Sequence, residues 1–146
     1  MNHRNVHKES NKHISVELNN FNNKTYIELT KVSTNASERE TLSQRLINEL
    51  CEYYNIEIPI VNVPNSRQIK TTNGKILGTY KPHSKIITVP NKTAKLGKIV
   101  AIKSFIDTLL HEFIHHYDYF VLELSDSLHT AGFYQRISDL KNKLEN

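Results

Sequence analysis

The sequence predicts the α+β class: a small, mostly antiparallel sheet of three to four strands, packed on an N-terminal helix and on a longer central helix, with a C-terminal helix after it. Three observations carry this expectation. Apolar residues recur at the helical period around 42–54, 98–123 and 131–144. Three short β-rich runs, 57–63, 75–80 and 85–89, lie between the first two of these, with Asn73-Gly74 and Pro82-His83 as turns beside them. The length, 146 residues, suits one ordinary domain, which can bury about two-thirds of its unfolded surface without disulfides or a structural metal.

Taken in order, residues 1–13 are polar and carry His3, His7 and His13; they read as a flexible tail, leaving 14–146 as the domain. Ile14, Val16 and Leu18 alternate with polar residues, as do Ile27 and Leu29. With the Asn-rich 19–23 between them, this suggests a β-hairpin. Ser37 and Glu40 have capping-box spacing, in which each side chain satisfies the other's free backbone N–H. Leu42, Leu46, Ile47 and Leu50 continue the helix toward Tyr53 and Tyr54, and Asn55 and Pro59 mark its exit. The long helix shows a wide apolar face of Ile99, Ile102, Ile106, Leu109, Leu110, Phe113, Ile114 and Tyr117, as expected of an element central to the core. Ser125-Asp126-Ser127 should break it. Phe133, Ile137, Leu140 and Leu144 then share one side of the last helix.

Composition narrows the function classes. No apolar run approaches the roughly 18 residues of a membrane span, and the polar first residues do not read as a secretory leader. The single cysteine, Cys51, excludes an internal disulfide and a four-cysteine zinc ribbon, and a cytoplasmic location is expected. Cys51 itself reads as a small core residue. The net charge is +4, yet 58–106 contains no acid while holding Arg67, Lys70, Lys75, Lys81, Lys85, Lys92, Lys95, Lys98 and Lys103. This basic segment, 67–103, is either a solvated lysine-rich face or a surface for DNA or another acidic partner.

The chemistry lies in the long helix. His111-Glu112-Phe113-Ile114-His115 is an H-E-x-x-H pattern. In a chain of this composition it is expected by chance only about 0.03 times. Residues four apart on a helix stand about 5–6 Å apart on one face, so two imidazoles can converge on one ion at about 2.0–2.1 Å. Glu112, one residue on from His111, is rotated off that axis and stays close enough to take a proton from water that a metal has made acidic. A histidine pair with only packing roles is the competing interpretation.

A catalytic zinc site usually takes three protein ligands, so the chain must return a third. A metzincin would need glycine at position 118 and histidine at position 121, where Asp118 and Val121 stand. His129, after the Ser-Asp-Ser break and before the last helix, is the best candidate, with Glu123 and Asp126 as alternatives. Asp118, one turn on from His115, is better cast as an acceptor that orients a ligand. His116 points about 100° away around the helix and reads as a packing residue, and His83 lies in a turn. Tyr117, Tyr119 or Tyr134 could donate to a developing oxyanion.

The motif in its setting, Asp107 to Tyr117, followed by His129-Thr130-Ala131-Gly132-Phe133, resembles the SprT-like (Spartan-type) zinc metalloproteases, H-E-x-x-H zincins whose third ligand opens an H-G-P-E-F-like segment. The resemblance covers about Ser37 to Leu144. It implies a minimal zincin-like fold, Zn2+ held by His111, His115 and His129, Glu112 as general base, and hydrolysis of protein or peptide substrates, in some members on DNA-associated proteins. Two departures stand out: Thr130, Ala131 and Gly132 replace the Gly-Pro-Glu of that segment, and with a single cysteine no C-terminal zinc ribbon or DNA-binding extension is expected. An extended substrate is expected to pair with an edge strand near 85–89. The alternative is a nucleic-acid- or protein-binding module whose zinc is structural or vestigial.

Overall fold

Local signals account for three of the five helices in the computed structural model, which describes residues 3–66, 78–93 and 96–146. The elements are α1 (His3–Lys12), α2 (Lys24–Thr30), α3 (Ala36–Tyr54), β1 (Ile60–Asn62), β2 (Thr79–Lys81), β3 (Ile86–Thr88), α4 (Ile102–Phe120) and α5 (Ala131–Glu145). The α+β class is as expected, with a C-terminal helix after the helix that bears the histidine motif. Helix α3 starts two residues before the expected box: Asn35, not Ser37, is the N-cap, its Oδ1 accepting from Glu38 N–H at 2.8 Å. It ends at Asn55, whose left-handed backbone (φ 55°) suits a C-cap. Helix α5 begins at Thr130, whose Oγ1 accepts from Phe133 N–H at 3.0 Å.

Helix α4 forms the centre of the core. Phe105, Leu109, Leu110, Phe113 and Ile114 are all fully buried, each such side chain contributing about 1.5–3 kcal/mol relative to exposure. They pack with Leu46, Ile47, Leu50 and Cys51 of α3, Phe133, Leu140 and Leu144 of α5, and Ile87 of β3. Burial pushes the Cys51 thiol up to about 12, in keeping with a packing residue.

The sheet departs from the expected antiparallel character. Its order is β1-β3-β2, with β1 parallel to β3 and β2 antiparallel to it, so the sheet is mixed. The strand expected at the edge, β3, is therefore central. Of the two outer strands, β1 is closed along its free side by α3: Val61 N–H donates to Gln44 Oε1 and Val63 N–H to Glu40 Oε1. Glu40, expected in a capping box, serves here as a strand cover. Residues 75–77, half of the 75–80 run, lie outside the described residues.

Two N-terminal expectations are corrected. Of the segment read as a flexible tail, 1–13, residues His3–Lys12 form helix α1, with Val6 and Ser10 buried. The expected β-hairpin is absent: residues 14–18 belong to no helix and pair with no strand among the described residues, and α2 occupies the second half. Side chains supply the missing ladder. Asp139 accepts from Val16 N–H, Lys143 donates to Val16 O, and Tyr54 donates to Glu17 O. Among the described residues no helix is long and apolar enough to cross a membrane.

Candidate metal centre

Helix α4 presents His111 and His115 on one face, and the connection 121–130 folds back to bring His129 over them. Ligand atoms of the three imidazoles lie within 4.8 Å of one another. The Nε2 atoms of His115 and His129 are 3.0 Å apart, close to the roughly 3.3 Å that separates two ligands of a tetrahedral ion bound at 2.0–2.1 Å. The rings cluster with Phe133, which lies 4.5 Å from His115 between centroids and 5.0 Å from His111. The other candidates for third ligand are engaged elsewhere or turned outward: Asp126 accepts from Tyr119 Oη at 3.0 Å, and Glu123 is exposed at a left-handed turn position.

A chain of hydrogen bonds sets the His115 ring. Ser127 donates its hydroxyl proton to Asp118 Oδ2 at 2.8 Å, so toward His115 Nδ1, 2.7 Å away, its oxygen can only accept. His115 is thereby protonated on Nδ1, and the lone pair of Nε2 faces the cluster. Asp118, expected to orient a ligand, reaches the His115 ring through Ser127. Asp118 is held in turn by Arg136, whose Nε and Nη2 donate to its two carboxylate oxygens at 3.0 and 2.8 Å. The sequence marks Ser127 only as part of the helix break and Arg136 not at all; the partners of a buried ion pair 18 residues apart have no periodicity to betray them.

Electrostatics favour neutral imidazoles. Burial, then the neighbouring His111 and His129, hold His115 down to about 3, and burial followed by His129 lowers His111. Ligation requires the neutral ring. Glu112 is 5% exposed, with Oε2 3.9 Å from His111 Nε2, and burial raises it to about 7. Three imidazoles, no thiolate and a carboxylate beside them fit a hydrolytic zinc site better than a closed structural one.

Strand β2 enters beside this carboxylate. A Cβ on Gly78 would lie 2.7 Å from Thr108 Cγ2, 2.9 Å from Thr88 O and 3.3 Å from Glu112 Cγ. Only glycine fits between Thr108 and Thr88 O here, and its backbone thereby passes close to Glu112. His116 turns the other way, as expected: Tyr80 Oη lies 2.7 Å from its Nδ1, and its Nε2 donates to Glu57 O at 2.7 Å. Of the three tyrosines considered, Tyr117 is buried against Tyr54 and Tyr119 bonds Asp126. Tyr134 faces the cluster, 6.2 Å from His111 and 6.1 Å from His129 between centroids, and is half exposed.

Of the basic segment, Arg67, Lys70, Lys75 and Lys95 lie outside the described residues. Lys81, Lys98 and Lys103 are exposed, whereas Lys85 pairs with Glu57 at 2.9 Å. No family model, curated protein or solved structure matches the chain.

Proposed function

We propose that the protein is a zinc-dependent metallopeptidase of the SprT-like kind, with His111, His115 and His129 holding the metal and Glu112 as general base. The observation that carries this is the buried carboxylate of Glu112 beside three converging imidazoles. A structural zinc has no use for such a group, and an ionisable side chain kept buried without a counter-charge is costly. When bound, zinc supplies Lewis acidity toward the scissile carbonyl and lowers the pKa of water to about 7.

Glu112 takes a proton from the attacking water and passes it to the leaving amine nitrogen. A carboxyl titrating at about 7 can do both near neutrality. Tyr134 Oη donates to the carbonyl oxygen as negative charge gathers there. Because β3 is central and the free side of β1 is occupied by Gln44 and Glu40, an extended substrate pairs with β2, the remaining outer strand among the described residues. Lys81 on that strand, with Lys98 and Lys103, favours acidic peptides or protein lying on DNA. The single buried cysteine suits a cytoplasmic setting.

The test is Glu112→Gln, measured as zinc content and as cleavage of a denatured, fluorophore-labelled protein. Zinc content should hold at the wild-type level while cleavage falls at least about 100-fold. Undiminished cleavage refutes the assignment. Salt-sensitive DNA binding without cleavage by the zinc-loaded wild type would instead favour a binding module.

A further inference from the structure

Helix α1 ends against the segment that carries His129. Ser10 Oγ lies 2.7 Å from Thr130 Oγ1, and Asn11 Oδ1 accepts from Gly132 N–H at 2.8 Å. Thr130 follows His129 directly and Gly132 is two residues further, so the chain is pinned on the C-terminal side of that histidine. The fit leaves no slack. A Cβ on Gly132 would stand 2.5 Å from Ser10 O and 2.8 Å from Asn11 Cα, both main-chain atoms.

The same end of α1 is tied to His115. Arg136 Nη1 donates to Ser10 O and His13 O at 2.6 and 2.7 Å, and Nη2 donates to Ser10 Oγ at 3.0 Å. Its remaining donors hold Asp118, which accepts from Ser127, whose oxygen accepts from His115. All five guanidinium N–H groups are thus used, and the cation caps carbonyls at the negative end of α1.

His129 itself is exposed and belongs to no helix or strand. Its place is set by what grips the chain on either side: Ser127 before it, Thr130 and Gly132 after it. We propose that Ser10 and Asn11 are positioning residues of the metal centre, holding His129 through Thr130 and Gly132 and His115 through Arg136, Asp118 and Ser127. The inference rests on the ligand assignment proposed above. Neither residue touches an imidazole, so each acts by fixing where the ligands stand before an ion arrives.

Co2+ titration of the 146-residue chain tests this, with affinity read by chelator competition and geometry by the visible absorption bands. Asn11→Ala and Gly132→Ala should bind Co2+ about tenfold or more weakly and show altered bands, while Asn11→Asp, which keeps the acceptor, should restore both. Ile47→Val, a core change in α3 away from this network, serves as the stability control and should bind like wild type. Wild-type affinity and bands in Asn11→Ala and Gly132→Ala would overturn the inference. So would an equal loss in Asn11→Asp and Ile47→Val, which would mark a general loss of stability. If His129→Ala binds Co2+ as the wild type does, the ligand assignment is what fails, and the positioning role falls with it.

Discussion

Arg39 and Arg136 are both fully buried, and they are handled in opposite ways. Arg136 meets a carboxylate of equal burial, Asp118, and every N–H it owns has an acceptor. Arg39 has only neutral acceptors: Asn91 Oδ1, Val100 O and Ser33 O, at 2.6–2.9 Å, with the Phe105 ring 5.0 Å from its Cζ and its Nε unpaired. Burial accordingly pulls Arg39 below the ordinary arginine value. Arg39 is a clamp that ties the loop before α4 to α3, and its charge is incidental to the task. Arg136 underlies the candidate site, where it offsets the burial that raises the Asp118 carboxyl, and Asp118 accepts from Ser127 and so fixes the tautomer of His115. Glu112 falls on Arg39's side of the divide, a buried charge with no opposite charge in hydrogen-bonding reach among the described residues.

The largest effect should come from splitting the balanced pair. Arg136→Met leaves Asp118 buried and alone, with an expected cost of about 3–5 kcal/mol, seen as a lower midpoint in urea unfolding together with loss of metal binding. A cost below about 1 kcal/mol would mean that the pair is not what holds this region. Glu112 should behave in the reverse sense. Its folded value of about 7 exceeds the ordinary carboxylate value, so the folded state binds more protons than the unfolded one, and stability falls as pH rises from about 4.5 to 7. Glu112→Gln removes that loss. At pH 8 the metal-free variant should be about 2–3 kcal/mol more stable than metal-free wild type, with little difference at pH 5; urea unfolding at the two pH values measures it. The smallest effect belongs to Arg39→Met, which strands neutral acceptors while deleting an unbalanced charge. About 1–2 kcal/mol should be lost, with Co2+ affinity unchanged. A loss as large as that for Arg136→Met would erase the distinction.

What the sequence disclosed follows the same line. Helices α3, α4 and α5 carry strong apolar periodicity, and the H-E-x-x-H spacing depends only on helical geometry, so both could be read locally. His129 could be read because the break at 125–127 and the start of α5 bracket it. Helix α1 could not, since only Val6 and Ser10 face inward among its described side chains, and what secures it is Arg136, more than 120 residues away in sequence. The 14–18 segment shows the period of a strand, but its hydrogen bonds are made by Asp139, Lys143 and Tyr54. The parallel pairing of β1 with β3, which moved the expected edge strand to the centre, is likewise a long-range outcome. Gly78 and Gly132 are single residues whose meaning lies wholly in the atoms packed opposite them.

Metal content by native mass spectrometry, wild type beside His129→Ala, addresses the assignment on which all of this depends. One equivalent of zinc in the wild type and little in the variant is the expected result. Equal loading of the two proteins would contradict it, removing His129 from the ligand set.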